Sequence, residues 1–359
     1  MKKKVLLGMS GGVDSSVAAA LLKEQGYEVI GVTMRVWEDK NIDDKGCCSV
    51  SAVEDARRVA NSLHIPHHVL DFKDIFKAKV VDYFKKEYMS GRTPNPCIAC
   101  NKHIKFGALL NKALSMGMDY VATGHYGRVE YDLLKDRYIL KKAKDAHKDQ
   151  TYFLYNLTQK QLSRTLLPLG DYTKEEVRQM AENMGLEAVA SKPDSQEICF
   201  IPDNDYVRFI EKNTEEEIKS GYFVDLQGNI LGEHNGIINY TIGQRKGLGI
   251  SIGKPTYVVH IDSDTNTVVL GDNEHVFAKG LIASDLNFIG IDSLESDMKV
   301  YAKIRYSARE APATISPIDG GRVRVMFDEP ARAITPGQSV VFYYEDMVVG
   351  GGIIDEVER

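Results

Sequence analysis

Val5-Leu6-Leu7-Gly8-Met9-Ser10-Gly11-Gly12-Val13-Asp14-Ser15-Ser16-Val17-Ala18-Ala19-Ala20-Leu21-Leu22 is the stretch that decides the fold. A short apolar run reads as a buried strand, and it passes through a glycine-rich turn into an alanine- and leucine-rich helix. Gly11 and Gly12 let backbone N–H groups face inward with no Cβ in the way, and the new helix presents unpaired amides and the positive end of its dipole. Ser10 and Ser15 add hydroxyl donors, and Asp14 adds a carboxylate able to hold Mg²⁺ against bound phosphates. An ordinary Ser/Asp cap accounts for any one of these residues. The whole string is what points to phosphate.

Outward from this loop, strand and helix signals alternate over residues 1–130. A second strand spans 28–34, Ser51-x-x-Glu54 opens a helix as a capping box, and a strand returns over 65–72. Helices over 75–88 and 104–116 and a strand over 120–123 complete a βα repeat, so the fold class is α/β with a doubly wound parallel sheet. Ligands of such sheets lie at the carboxyl ends of the strands, which makes the loops after Leu7, Met34 and Thr123 neighbours. Residues 135–198 read as helical, with a second capping box at Thr173-x-x-Glu176. Beyond 205, one helix (206–211) precedes short β runs at 222–226, 256–261 and 268–270. From 280 onward the pattern is almost wholly strand-like, as at 300–306 and 323–327. Three domains are expected: a catalytic α/β domain with a helical extension over 1–204, a small central α+β module over 205–278, and a C-terminal β-barrel over 279–359.

The 359 residues are 43% hydrophobic and 27% charged, as in a globular chain, and exceed one typical core. A net charge of −6 does not advertise a nucleic-acid binder, so any RNA contact requires a local basic face. Met1-Lys2-Lys3-Lys4 and the short run behind it do not make a signal peptide, and no apolar stretch could span a bilayer. A cytoplasmic location without membrane attachment is expected. Five cysteines, an odd number, argue against a disulfide framework and for chemistry, metal or idle thiols.

Cys97-Ile98-Ala99-Cys100 follows Thr93-Pro94-Asn95-Pro96, read as a proline-stiffened loop, and precedes a helix expected near Lys102. A helix start with Lys102, His103 and Lys105 nearby favours thiolate at Cys100. The same C-x-x-C spacing also serves half a zinc site or two ligands of an iron–sulfur cluster. Cys199 stands between Ile198 and Phe200, where a small buried hydrophobe is one reading. The polar run Ser191-Lys192-Pro193-Asp194-Ser195-Gln196-Glu197 before it favours a site. Cys47-Cys48 lack ligand spacing and read as idle.

No Gly-Lys-Ser/Thr closes the first loop and no Gly-x-Gly-x-x-Gly is present. The string Ser10-Gly11-Gly12-Val13-Asp14-Ser15 instead resembles the loop of ATP pyrophosphatases, which cleave ATP between the α- and β-phosphates and adenylate a substrate. That loop, Thr93-Pro94-Asn95-Pro96 with Cys100-Asn101-Lys102 and Ile104-Lys105-Phe106, Ala122-Thr123-Gly124-His125-Tyr126, Lys148-Asp149-Gln150-Thr151-Tyr152-Phe153, Ser195-Gln196-Glu197-Ile198-Cys199-Phe200 and Gly243-Gln244-Arg245-Lys246-Gly247 occur in this order. The set resembles the bacterial tRNA-specific 2-thiouridylase (MnmA) family over essentially the full chain.

The resemblance implies ATP-dependent 2-thiolation of the wobble uridine, position 34, in tRNA for Lys, Glu and Gln. It implies ATP, with Mg²⁺ on Asp14, at Gly8, Met9, Ser10, Gly11, Gly12, Val13, Asp14, Ser15, Met34 and Gly124. Asn95, Pro96 and Cys97 would face the target base, and His125, Lys148, Asp149, Gln150, Arg305, Tyr306 and Gln338 would meet tRNA. Cys199 would carry sulfur as a persulfide with Cys100 as its partner thiol, the two ending as a disulfide. The sulfur would come from a persulfide-bearing donor protein or a cysteine desulfurase, and DNA is not expected as a partner. Many members carry Asp where this chain has Cys97. The change removes an acid/base candidate and creates a trio, Cys97, Cys100 and Cys199, able to hold a [4Fe–4S] cluster with one open iron, so the cluster and persulfide routes both stay open. Two other classes compete: amide- or amidine-forming ligases with the same loop, and a non-catalytic RNA-binding module. The ligases need no cysteine trio, and the module needs neither Asp14 nor Ser15.

Overall fold

The computed structural model describes residues 2–37, 50–186, 190 and 198–359. Cys47, Cys48 and the run 191–197 lie outside the described residues. The chain divides into two compact units: residues 1–81, 96–204 and 345–348 form the first, and 82–95, 205–344 and 349–359 the second.

The first unit is built on strands β1 (Lys4–Gly8), β2 (Glu28–Arg35), β3 (His67–Asp71), β4 (Tyr120–Ala122) and β7 (Thr165–Leu166), in the order β3-β2-β1-β4-β7. All pairs are parallel, with Gly8 opposite Val32 and Leu7 opposite Ala122. Val5, Leu6 and Leu7 are fully buried, as a central strand covered on both faces requires. Helices α1 (Val13–Glu24) and α2 (Val50–Ser62) follow β1 and β2. The doubly wound sheet expected from the sequence is the fold of this unit.

Between β3 and β4 the helical segments are subdivided. Helix α3 (Lys73–Phe76) passes through a π-helical turn (Lys77–Val81) into α4 (Asp82–Met89), the last belonging to the second unit. Helix α5 (Pro96–Cys100) passes through a π-helical stretch (Asn101–Ala108) into α6 (Leu109–Ser115). The helix thus begins at Pro96, six residues before the expected start, because proline fits the first helical position, where its missing N–H costs nothing. The stretch 135–198 departs further from the helical expectation. An antiparallel hairpin pairs β5 (Arg128–Asp132), which precedes the stretch, with β6 (Arg137–Lys141), which occupies its start. Helices α7 (Gln159–Leu162) and α8 (Lys174–Asn183) follow, and both open on capping boxes, from Thr158 and Thr173.

In the second unit, helix α9 (Tyr206–Asn213) starts on an Asp205 cap, and Tyr206 stacks on Tyr88 of α4 with centroids 4.6 Å apart. Strands β8 (Gly221–Val224), β9 (Ile230–His234), β10 (Tyr257–Asp262) and β11 (Thr267–Gly271) make a sheet of order β10-β11-β8-β9. Six further strands, β12 (Phe277–Phe288), β13 (Met298–Lys303), β14 (Ala311–Ile318), β15 (Arg322–Arg332), β16 (Ser339–Tyr344) and β17 (Met347–Glu358), run β12-β15-β14-β13-β16-β17. The additional β12–β17 pairing closes them into a barrel, which leaves no sheet edge open. Val323, Val325 and Phe327 are buried while Arg324 and Met326 are exposed, the period of two that a packed barrel interior requires.

Candidate active site and RNA-facing surfaces

Three loops meet at the carboxyl edge of the parallel sheet. The Gly8–Ser15 turn leaves β1, Met34 stands two residues past the β1–β2 partner of Gly8, and Gly124 stands two residues past the β4 partner of Leu7. Gly11 has φ +74°, and a Cβ there would collide with the Ala52 carbonyl of α2. A Cβ on Gly124 would lie 2.9 Å from both Asp14 C and Ser15 N, so this loop presses directly on the start of α1. Gly12 caps α1 without a side-chain acceptor, which leaves the first-turn amides facing the edge. Ser10 N–H donates to Ser15 Oγ (3.2 Å), and Ser15 Oγ donates to Gly12 O (3.1 Å), so the two hydroxyl residues shape the loop. The structure therefore brings together the residues expected to bind ATP. Asp14 accepts from Tyr126 Oη at 2.7 Å and from Lys174 Nζ, which is 2.8 Å from each carboxylate oxygen.

Cys97 and Cys100 both lie on α5, three residues apart and hence on neighbouring positions of one helix face. Asn101 Nδ2 donates to Phe153 O (3.0 Å) and Gln161 Nε2 to Phe106 O (2.7 Å), which anchor the π-helical stretch behind them. Such stretches concentrate at functional sites. Lys105 lies on that stretch. Its Nζ lies 3.3 Å from His125 Nε2, and His125 Nδ1 lies 2.7 Å from Thr123 Oγ1. An ammonium can only donate, so Nε2 accepts and the neutral ring donates from Nδ1 to the threonine hydroxyl. Burial, seconded by Lys105, holds the His125 pKa well below the ordinary imidazole range. Surrounding protein raises the Cys97 thiol pKa and Lys105 pulls it back, while the side chain still reaches solvent.

Cys199 is exposed, which removes the reading of a core residue. Its neighbour Phe200 is the buried member, packed 5.6 Å from Phe76 and 6.3 Å from Trp37 between ring centroids. Cys97, Cys100 and Cys199 are all thiols, none in a disulfide. Among the described residues, no three His, Cys, Asp or Glu side chains converge to hold a metal.

The segment 148–150 is bound into the same unit. Asp149 is buried and accepts from Ala143 N–H (2.9 Å) and Thr151 Oγ1 (2.6 Å); Gln150 Oε1 accepts from Tyr126 N–H (3.0 Å). Lys148 is half-buried. In the second unit, Gln338 Nε2 donates to Thr93 O (2.8 Å) and Pro94 O (3.3 Å), and so fixes the stretch that ends at half-buried Asn95. Arg305 Nη1 reaches Ala333 O (3.3 Å), and exposed Tyr306 lies under Lys303 Nζ, 5.4 Å from its ring centroid. The sequence reading gave no role to three residues here: Thr123 and Tyr126, which it quoted only as part of a motif, and Lys174. A lysine opening a capped helix reads as generic, and its partner Asp14 lies 160 residues away.

Residues 3–203 match the tRNA methyl transferase HUP domain family, 207–272 the tRNA methyl transferase PRC-barrel domain, and 278–354 the aminomethyltransferase beta-barrel domain. The chain is 66% identical over 357 residues to the tRNA-specific 2-thiouridylase MnmA of Acetivibrio thermocellus, covering 98% of this chain and 99% of that one. It is 61% identical to the protein of the same name from Clostridioides difficile over 99% of both chains, and 62% identical to MnmA 2 of Caldanaerobacter subterraneus subsp. tengcongensis, again over 99% of both. With near-complete coverage at this identity, the chain belongs to the tRNA-specific 2-thiouridylase (MnmA) family.

Proposed function

We propose that this chain uses ATP to replace the 2-oxygen of the wobble uridine, position 34, of tRNA for Lys, Glu and Gln by sulfur. One observation carries the reading: the loop 123–125 backs the start of α1 through Gly124 and meets Lys105, on the helical segment of Cys97 and Cys100, through His125. The nucleotide edge and two thiols thus share one wall. Gly8 to Ser15, Met34 and Gly124 take ATP, and Asn95 to Cys97 face the base. His125, Lys148 to Gln150, Arg305, Tyr306 and Gln338 serve the tRNA. His125 is buried, so it acts by fixing Lys105.

The C2 carbonyl of uridine is a poor electrophile. Its oxygen attacks the α-phosphorus, pyrophosphate leaves, and the adenylated oxygen becomes a leaving group. A persulfide-bearing donor protein or a cysteine desulfurase loads Cys199 with sulfur. The terminal sulfur attacks C2, and Cys100 thiolate attacks Cys199 Sγ and breaks the S–S bond. AMP then departs with the former 2-oxygen. The products are a 2-thiocarbonyl and a Cys100–Cys199 disulfide, which a thiol reductant reopens. Cys97, standing where many family members carry Asp, takes the place of that acid beside the base, with Lys105 tuning its proton. The other sulfur route is a [4Fe–4S] cluster on Cys97, Cys100 and Cys199 with one open iron.

Asp14 is the only carboxylate in the loop, which suits Mg²⁺, an ion that takes the rest of its shell from phosphates and water. Asp14 would hold the ion, which would supply charge neutralisation of the leaving pyrophosphate. No helix among the described residues is long and apolar enough to cross a membrane. A tRNA substrate supports a cytoplasmic location. Pyrophosphate release from labelled ATP with and without tRNA tests the proposal. Release that needs tRNA supports it, whereas release driven by a small acid would identify a ligase instead.

A further inference from the structure

The Asp14 carboxylate is clamped by two side chains whose backbones are both bonded to one segment. Lys174, 7% exposed, places Nζ 2.8 Å from each Asp14 oxygen, and Tyr126, 2% exposed, donates its hydroxyl at 2.7 Å. The Lys174 ammonium also lies 5.9 Å from the Tyr126 ring centroid. Lys174 N–H in turn donates to Asp145 Oδ2 (3.0 Å), and Asp145 Oδ1 accepts the N–H groups of His147 (2.9 Å) and Lys148 (3.3 Å). On the other side, Tyr126 N–H donates to Gln150 Oε1 (3.0 Å) and Gln150 N–H donates to Tyr126 O (2.9 Å). Two short, fully hydrogen-bonded routes therefore run from 145–150 to a single carboxylate.

We propose that Lys174 and Tyr126 are positioning residues that aim Asp14 at the nucleotide and make ATP handling depend on RNA engaged at 148–150. The inference rests on the function proposed above, with ATP at the glycine-rich loop and tRNA at that segment. Lys174 is buried while the Asp14 side chain is 32% exposed, and the pair fixes direction because the buried ammonium would be an uncompensated charge without its carboxylate. The tyrosine hydroxyl adds the second bond that a carboxylate needs to lose its rotational freedom. RNA that shifts the backbone at 148–150 must move Tyr126, Lys174 or both. By linkage, ATP must then alter tRNA affinity by the same factor as tRNA alters ATP affinity.

The test uses the full chain with tRNA and the variants Tyr126→Phe and Lys174→Met. Three quantities are measured: KM for ATP in tRNA-dependent pyrophosphate release, kcat, and the tRNA Kd with and without α,β-methylene-ATP. Both variants are expected to raise the ATP KM by about ten- to a hundredfold, the range for one hydrogen bond to a charged group. They should also abolish the effect of the analogue on tRNA affinity while leaving the nucleotide-free tRNA Kd unchanged. Tyr126→Phe keeps the ring and its packing, so a merely structural role would leave every readout unmoved. If Lys174→Met fails to fold, the phenylalanine variant decides alone. Folded variants with wild-type KM and intact coupling overturn the proposal, as does a wild-type enzyme whose tRNA affinity ignores the analogue. A wild-type enzyme that releases no pyrophosphate with tRNA overturns the function proposed above, and this inference with it.

Discussion

The edge proposed for the nucleotide and the part of the second unit proposed for RNA are built on opposite plans. At the edge, the glycine-rich turn leads into the first-turn amides of α1, and a Cβ at Gly11 or Gly124 would collide with neighbouring backbone. In the second unit, side chains do the assembling: Gln338 reaches 245 residues back along the chain to hold Thr93. A backbone site is spelled out contiguously and is intolerant of single added atoms. A side-chain site is scattered through the sequence, and each member carries a small share. The difference predicts how each region breaks.

Cys199→Ser should have the largest effect. The exposed thiol carries the sulfur in the proposed chemistry and packs no core, so thiolation should vanish while tRNA-dependent pyrophosphate release persists. Thiouridine content of product tRNA and pyrophosphate release, measured on one sample, check both halves. Residual thiolation by this variant would sink the sulfur assignment without touching the nucleotide edge.

Gly124→Ala tests intolerance at the edge itself. Its new Cβ would stand 2.9 Å from two backbone atoms of α1, neither the end of a flexible side chain, so the loop or the helix start must shift. Overpacking of this kind costs about 1–3 kcal/mol, roughly five- to a hundredfold in ATP KM if it falls on the bound state. tRNA affinity without nucleotide should not change. An unaltered KM would show that the edge yields more easily than its geometry implies.

What the sequence disclosed divides along the same line. The βα order, the strand edges after β1, β2 and β4, and the closed barrel follow from contiguous patterns, and all are present. The helical reading from 135 onward missed β6, and the turn before it carries two apolar residues, Leu133 and Leu134, inside a polar run. They are 84% and 98% exposed. Cys97 and Cys100 were expected on a loop, yet Pro96 starts a helix there. The clamp on Asp14 had no local signal, since Tyr126 and Lys174 acquire their meaning only from the tertiary fold.

A third region of intermediate sensitivity is the buried His125. Its folded pKa lies below the unfolded value because burial, with help from Lys105, penalises the charged ring. The unfolded chain then binds the extra proton first, so stability is fully present above about pH 6.5 and falls as pH drops below it. The loss should approach about 1.4 kcal/mol per pH unit until the folded pKa is reached. Melting temperatures at pH 7.5 and 5.5 for wild type and His125→Asn measure it. Equal slopes in the two proteins would place the acid sensitivity elsewhere.

Gln338→Ala should act more weakly and only on RNA. It removes two hydrogen bonds to Thr93 O and Pro94 O, worth about 0.5–1.5 kcal/mol each, and loosens the stretch before Asn95. A rise of about two- to tenfold in tRNA Kd with an unchanged ATP KM is expected. A changed KM would contradict the separation of the two plans.

Arg305→Ala should give the smallest change and the most specific one. Among the described residues the guanidinium is held by Nη1, at 3.3 Å from Ala333 O and 3.5 Å from Arg332 O, so the remainder of its fork can engage a phosphate. One phosphate contact contributes just under about one unit to the slope of log K against log salt. Arg305→Ala should therefore flatten that slope by this amount and cost tRNA affinity uniformly across sequences. Arg305→Lys separates charge from shape: an ammonium restores the slope because counterion release needs only charge, while the forked geometry is lost. If both variants keep the wild-type slope, the arginine serves the barrel through its carbonyl contacts. The RNA-facing plan would then rest on Tyr306, Gln338 and the cations beside them.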